Sequence, residues 1–412
     1  MNTIKSTRKK EHPTRPEAQQ FGSSTRAVHG NWRRNPYHAV AEPVVQASTY
    51  SFENTADLRD FMEARLWGKE NGRTDYGRYG NPTVTAVEKR LATLEGAEDA
   101  ILFASGMAAI TSVLLAMLPT GANLVITDDC YRRTREFCST FLKRLGISCT
   151  VAPMGNYEAL EEAIQPNTRL LLSESPTNPY LRTLDLIRFA EIARKHKVKS
   201  IVDATFATPL NIQPIPLGVD LVVHSGTKYL GGHNDLLAGI VAGEARLIAS
   251  LRNALGLLGG IADPSNAALL LRGLKTLALR ITRQNQNGQV IAEYLESHSK
   301  VEKVWYPGLP SHPDHQVATQ QMKGYGGVVF FTVNGDLDTT SSFIDALQIP
   351  FIAPSFGGVE TLIEQPALMS FYELSAEERL AVGIPENLVR LSLGIEDADD
   401  LIADLDQALS RI

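Results

Sequence analysis

Between about residues 84 and 224, short apolar runs alternate with stretches of helical periodicity. The periodicity predicts a helix at residues 84–94 before an apolar run at 100–104, and a second helix at 107–118 before a run at 124–127. A third helical stretch covers 133–145. Further short runs lie at 170–173, 200–203 and 221–224, with a helix at 186–196 between two of them. Continuous runs of this length suit strands buried on both faces. Strands alternating with helices predict an α/β fold with a mostly parallel, doubly wound sheet. Such sheets take ligands beyond the carboxyl ends of their strands. After residues 272–283 the pattern changes to a long helix, an apolar segment at 326–333 and a helix at 338–347, which predicts a smaller α+β lobe. Residues from about 28 to 75 read as irregular, interrupted by Pro36 and Pro43, with one short helix near 56–65. Neither an internal repeat nor a low-complexity segment stands out.

Composition narrows the function classes. A chain of 412 residues can bury a large core and is expected to form two lobes. Its net charge of −6 leaves no basic footprint for nucleic acid. No apolar run is long enough to span a bilayer. Cys130, Cys138 and Cys149 have no metal or redox spacing and suit a reduced cytoplasm. The N-terminal stretch carries Lys5, Arg8, Lys9, Lys10 and Arg15 without an apolar signal core, and Glu11 and Glu17 argue against a transit peptide. The expected organisation is a tail over 1–27, an N-terminal arm over 28–80, a cofactor domain over 81–279 and a C-terminal domain over 280–412.

The chemistry centres on one lysine. An apolar run leads into Leu221-Val-Val-His-Ser-Gly-Thr-Lys-Tyr-Leu-Gly-Gly-His233, so Lys228 follows a strand end beside the hydroxyls of Ser225 and Thr227. Hydroxyls can bind a phosphate and an amine can bind a carbonyl, which suits a Schiff-base site. Asp203 ends another apolar run, and lysine plus aspartate is the pair that pyridoxal phosphate needs. Ser105-Gly106-Met107 opens a helix whose free N–H groups make an anion site, although Ser105 alone also reads as an ordinary N-cap. Arg390 interrupts the apolar run Leu388-Val-Arg-Leu-Ser392, as an edge-strand cation or an anion ligand. His312-Pro-Asp-His315 has a metal-like look, but Pro313 breaks a helix and no third ligand is evident, so a surface loop and no metal are expected. His224 and His233 flank the lysine with no expected role beyond packing.

Six ordered blocks carry a resemblance. Ser225-Gly-Thr-Lys-Tyr-Leu-Gly-Gly-His233 resembles the lysine signature of the Cys/Met-metabolism PLP enzymes. Tyr76-Gly-Arg-Tyr-Gly-Asn-Pro82, Ala104-Ser-Gly-Met-Ala108, Glu174-Ser-Pro-Thr-Asn-Pro179, Ala353-Pro-Ser-Phe-Gly-Gly358 and Asn387-Leu-Val-Arg-Leu-Ser392 match in the same order. The likeness runs from about Val28 to the C-terminus and is strongest toward plant-type cystathionine γ-synthases, through Asp203-Ala-Thr-Phe-Ala-Thr-Pro209, Tyr131-Arg-Arg-Thr134 and Ile352-Ala-Pro-Ser-Phe356.

The resemblance implies PLP fold type I, with pyridoxal 5′-phosphate on Lys228. It implies a phosphate cup from Gly106, Met107, Ser225 and Thr227, completed by Tyr76 and Arg78 from a neighbouring subunit in a homodimer, and a homotetramer overall. Tyr131 is implied to stack on the cofactor ring and assist proton transfer. Asp203 is implied to pair with the ring nitrogen, Asn178 to bond the phenolic oxygen and Thr205 to contact the cofactor. Arg390 and Ser355 are implied to hold the substrate α-carboxylate. The implied activity is γ-replacement on an activated homoserine with cysteine, giving cystathionine. O-acylhomoserine sulfhydrylase and γ-lyase activities stand as alternatives. Two departures matter. Many relatives continue the tyrosine with Gly-Gly, whereas Arg132 and Arg133 follow here, and Arg133 is the candidate for binding an anionic leaving group. Typical methionine γ-lyases carry a cysteine where this chain has Arg133. Pro354 stands where many microbial enzymes carry a glutamate. Ser225-Gly-Thr-Lys228 also fits the S-x-x-K motif of serine acyl enzymes, but its companion motifs are absent.

Overall fold

The computed structural model describes residues 20–30, 35, 37–68 and 72–412. Seven strands form the larger sheet: β1 (Asp99–Phe103), β2 (Asn123–Thr127), β3 (Ser148–Ala152), β4 (Thr168–Glu174), β5 (Lys199–Asp203), β6 (Leu221–Ser225) and β7 (Gly239–Gly243). Their order across the sheet is β1-β7-β6-β5-β4-β2-β3, and β7 alone runs against the others. Alternate residues of the strands inside the β3 edge feed two cores, as strand geometry requires. Ile101, Phe103, Ile126, Leu172, Ile201 and Val223 face one of them. Leu102, Val125, Leu171, Val202 and Val222 face the other. With both faces covered, the strands need no polar alternation.

The expected mostly parallel sheet is present, with β3 and β7 added. β7 escaped notice because Gly-Ile-Val-Ala-Gly is short and bounded by glycines. A Cβ on Gly239 would lie 2.0 Å from the Ser105 carbonyl oxygen and 2.8 Å from the Gly106 nitrogen, so glycine lets β7 pass under the turn after β1. The expected helix at 133–145 is a continuous helical stretch. Arg132–Glu136 and Leu142–Arg144 flank a wider π-helical turn at Phe137–Phe141.

The second sheet joins β8 (Val301–Trp305), β9 (Val328–Val333), β10 (Phe351–Ile352), β11 (Leu362–Glu364) and β12 (Leu388–Ser392), in the order β10-β11-β12-β9-β8. The two sheets are linked by one helix, Pro264–Ser297, capped by Asp263 through Ser265 N and Asn266 N, with proline at its first position. The expected border at 279/280 falls inside this helix. Five residues of the expected tail belong to the helix Ser23–His29, whose Ala27 is fully buried. The charged residues from Lys5 to Glu17 lie outside the described residues.

Arg280, on the long helix, is buried among carbonyls. It donates to Tyr229 O at 2.7 Å and Gly273 O at 2.9 Å, and burial pulls its guanidinium down to about 10. The helix is thereby fastened to the residue directly after Lys228.

The passage of β7 beneath Ser105 gives a test. Gly239→Ala drives a methyl group into backbone, and overpacking of this kind costs roughly 1–3 kcal/mol. We expect a lowered thermal transition and lost cofactor retention. A variant as stable as the parent would refute the close approach.

Candidate active site

The carboxyl edge of the larger sheet collects the polar groups. β6 ends at Ser225, and the chain turns with Gly226 N donating to Ala238 O at 2.8 Å and Lys228 N donating to Ser225 O at 3.2 Å. The Thr227 hydroxyl accepts from Ala238 N at 3.1 Å, which ties the turn to β7. Lys228 Nζ donates to Ser355 Oγ at 2.6 Å, and the amine lies 5.1 Å from the centre of the Phe356 ring. Desolvation, then repulsion from Arg390, pulls the Lys228 amine down to about 8, against a smaller pull from Glu364.

Asp203 ends β5, next to β6. Thr205 N donates to Asp203 Oδ1 at 3.0 Å, and the Thr205 hydroxyl donates to the same oxygen at 2.5 Å. That hydroxyl also accepts from Ser225 N at 2.8 Å, so one side chain fixes two strand ends. Desolvation raises the Asp203 carboxyl, opposed first by Thr205. Among the described residues no cation forms an ion pair with it. Across the ladder, Glu174 of β4 pairs in register with Asp203. Glu174 is buried and its carboxyl is pushed well up, first by desolvation and then by Asp203.

Ser105 caps the helix Gly106–Met117 by accepting from Ala108 N at 3.1 Å, leaving the first-turn N–H groups of Gly106 and Met107 without helical acceptors. A Cβ at Gly106 would meet Ser225 Cβ at 3.0 Å and Cα at 3.2 Å, so glycine brings the helix start onto the end of β6. Tyr131 N donates to Glu174 Oε2 at 2.8 Å, which fixes the residue at the start of Arg132–Glu136 while its ring stays 42% exposed. Asn178 is half-buried in the turn after β4.

The second lobe supplies Ser355 and Arg390. Arg390 on β12 is buried. Its Nη1 lies 3.0 Å from Glu364 Oε1, and its Nη2 donates to Ser355 O at 2.7 Å. Ser355 has φ +88°, a left-handed value uncommon for serine. Beside it opens a cavity of about 490 Å³ lined by Thr227, Leu236, Ala353, Pro354, Ser355 and Leu362.

Contacts therefore run from Gly106 through Ser225, Thr205 and Asp203, by way of Glu174, to Tyr131, and from Ser225 through Lys228 and Ser355 to Arg390. Tyr76, Arg78 and Arg133 stand apart from this set, and among the described residues Asn178 makes no hydrogen bond to it. Tyr76 and Arg78 are exposed, with the Arg78 guanidinium 5.6 Å from the Tyr76 ring centre and 5.2 Å from that of Tyr79. Arg133 is half-exposed and pairs with Glu136 at 2.7 Å, while Arg132 pairs with Glu373 at 2.9 Å.

Two histidine readings need correction. His312 is buried rather than on a surface loop. Its Nε2 lies 2.9 Å from Tyr180 O, while Asp314 pairs with Arg182 at 2.6 Å. Among the described residues no three side chains could hold a metal. His224 does more than pack: its Nε2 lies 2.5 Å from Glu95 Oε1, with both side chains buried. Sequence reasoning also missed Glu174, Glu364, Phe356 and Arg280 as individual residues. Glu174 and Phe356 lay inside matched blocks, but Glu364 gains its meaning only from pairing of β11 with β12.

The donor set fits pyridoxal phosphate. A desolvated amine, a carboxylate awaiting a cation and a helix start made accessible by Gly106 meet at one sheet edge.

Comparison with known proteins agrees. The profile of the Cys/Met metabolism PLP-dependent enzymes matches residues 24–410. Chloroplastic cystathionine gamma-synthase 1 of Arabidopsis thaliana is 50% identical over 375 residues, 91% of this chain and 66% of that protein, so the match spans about two thirds of the relative's length. L-methionine gamma-lyase of Pseudomonas putida is 41% identical over 391 residues, 94% of this chain and 97% of that protein. The solved structure of cystathionine gamma synthase from Xanthomonas oryzae pv. oryzae, in complex with aminoacrylate and cysteine, has a TM-score of 0.88 and 37% identity, covering 95% of this chain and 98% of that one.

The Lys228 amine carries its own test. In protein stripped of cofactor, the neutral amine is the reactive form, so the rate of cofactor rebinding should rise with pH and level off above about 8. A rise that continues toward the ordinary lysine value of about 10.4 would show that the amine is not desolvated.

Proposed function

This chain belongs to the Cys/Met metabolism PLP-dependent enzyme family, and on that premise we propose that it joins cysteine to an activated homoserine by γ-replacement, giving cystathionine. The carrying observation is the line Lys228–Ser355–Arg390, which sets a reactive amine and a buried guanidinium on one serine. The plant and Xanthomonas relatives named cystathionine gamma-synthase support the same reading.

Lys228 would hold the cofactor covalently, with Asp203 at its ring nitrogen, Asn178 at its phenolic oxygen and Thr205 beside it. Gly106, Met107, Ser225 and Thr227 would hold the phosphate. When bound, pyridoxal phosphate supplies an electron sink for charge developing next to the substrate nitrogen. Arg390 and Ser355 orient the substrate carboxylate. The Lys228 amine, neutral above about 8, takes and returns protons at the substrate α and β carbons, and Tyr131 assists. The γ leaving group departs and the cysteine thiol attacks the γ carbon. If water has access instead, the products are 2-oxobutanoate and ammonia.

Arg133 favours an anionic leaving group, most naturally phosphate. Its present partner Glu136 is half-exposed, and exposed pairs are weak enough for a phosphate to share or displace. We expect cystathionine as the main product from O-phosphohomoserine and cysteine. We also expect Arg133→Ala to reduce the kcat/KM preference for O-phospho- over O-acetylhomoserine by about one decade. Keto-acid release that is indifferent to added cysteine would support a γ-lyase. Consumption of sulfide in preference to cysteine would support a sulfhydrylase. A ratio unmoved by the substitution would remove Arg133 from the site.

The functional unit in this reading is a homodimer, paired again into a tetramer. Tyr76 and Arg78 lie exposed and apart from the Lys228 set, while Leu237 and Phe351 beside the cavity are 60% and 63% exposed, as a face covered by another copy would be. Mixing Arg78→Ala chains with Lys228→Ala chains should restore part of the activity, since one hybrid site has both residues. No recovery from verified mixed oligomers would argue that each chain builds its own site. Among the described residues no helix is long and apolar enough to cross a membrane. A cytoplasmic location is part of the proposal, although the Arabidopsis relative is named chloroplastic.

A further inference from the structure

Glu364 takes no part in the chemistry described above, yet it sits at its centre. It lies on β11 directly opposite Arg390 on β12. The two side chains are 3% and 6% exposed, with Oε1 and Nη1 3.0 Å apart. Ser370 Oγ donates to the same Oε1 at 3.3 Å. A buried ion pair offsets its desolvation only when its remaining donors and acceptors are satisfied. Here Glu364 Oε2 and Arg390 Nε are both buried without a partner. A pair kept for stability alone is a poor account of that arrangement.

We propose that Glu364 is a positioning residue of the active site that holds the Arg390 guanidinium and limits how strongly it attracts the substrate carboxylate. The inference rests on the reading of Arg390 as the α-carboxylate ligand. The charged and titratable groups that face Arg390 are Glu364, Tyr229, Tyr131 and the Lys228 amine. Glu364 is the one carboxylate among them, so the incoming substrate meets a guanidinium whose charge is already largely compensated. Positioning follows from the same contacts. Glu364 fixes Arg390, Arg390 Nη2 binds the Ser355 carbonyl, and Ser355 in its left-handed conformation offers Oγ to Lys228 Nζ. A bare cation in this place would hold every amino acid that reached it, product included. Ground-state binding of that sort lowers KM without speeding the reaction.

The test compares holoenzymes of the parent, Glu364→Asp and Glu364→Gln. The probe is propionate, which offers a carboxylate and no amine. Its dissociation constant is measured by calorimetry alongside kcat and KM for the amino-acid substrate. Glu364→Gln should bind propionate about tenfold more tightly, with KM falling alongside and kcat not rising. Glu364→Asp, whose charge is drawn back by one methylene, should bind it about threefold more tightly. A folded Gln variant with unchanged or weaker propionate binding overturns the proposal. If that variant does not fold, unchanged or weaker binding by the Asp variant overturns it instead. Arg390→Ala separates the two layers. Propionate binding that survives this change sinks the reading of Arg390 itself. Binding lost with Arg390→Ala but indifferent to Glu364 sinks the present inference alone.

Discussion

Desolvation at the carboxyl edge of the larger sheet is the constraint on which the rest depends. Lys228 and Asp203 follow the ends of adjacent strands, where β5 and β6 are covered on both faces. Each is pushed toward its neutral form by burial, and no ion pair joins them. The protein stabilises each group locally, with the Thr205 hydroxyl on Asp203 and the Ser355 hydroxyl on Lys228. Each group thereby keeps capacity for a partner that the chain itself does not supply. A cofactor with an aldehyde at one end of a ring and a basic nitrogen at the other answers both needs.

The same constraint divides the charges between the lobes. Asp129, Glu174 and Asp203 gather beside the ends of β2, β4 and β5, and desolvation raises all three, Asp129 to about 6. Arg390 comes from the second sheet. In the proposed reading, the cofactor ring and the substrate carboxylate would have separate anchors, one in each lobe. Their alignment depends on how the lobes are joined. The long helix that spans them is fastened by Arg280 to Tyr229 O, immediately after Lys228. A guanidinium satisfied by carbonyls suits this task, because a carboxylate partner there would add another charge near the lysine.

Much of this was legible in the sequence, for identifiable reasons. Continuous apolar runs marked β1, β2, β4, β5 and β6 because strands buried on both faces leave a strong local signal. The residues that end those runs, Asp203 and Ser225–Lys228, were legible with them, since strand ends point at the ligand edge. β7 was lost because glycine at 239 answers to the Ser105 backbone, a contact between parts distant in the chain. The start of the long helix at Pro264 preceded the stretch where its periodicity became plain. Glu364 was invisible for a different reason. Leu362-Ile-Glu364 is only three residues long, and its meaning lies in an antiparallel register that sequence does not encode locally.

The arginines after Tyr131 show where local chemistry and tertiary context part. Read alone, two adjacent cations suggest an open anion site. In the fold each has a carboxylate partner, Arg132 with Glu373 from the second lobe and Arg133 with Glu136 one turn along. The two pairs differ in consequence. Releasing Arg132 frees a contact between the lobes, since its guanidinium also lies 5.8 Å from the Phe371 ring centre. Releasing Arg133 disturbs only an i,i+3 pair on one short helix, an exposed pair of the weak kind. An anion arriving beside Tyr131 can therefore recruit Arg133 at little cost to the fold, while Arg132 keeps its pair with Glu373 and its contact with the Phe371 ring. That asymmetry makes Arg133 the better candidate of the two for the leaving-group selectivity proposed above.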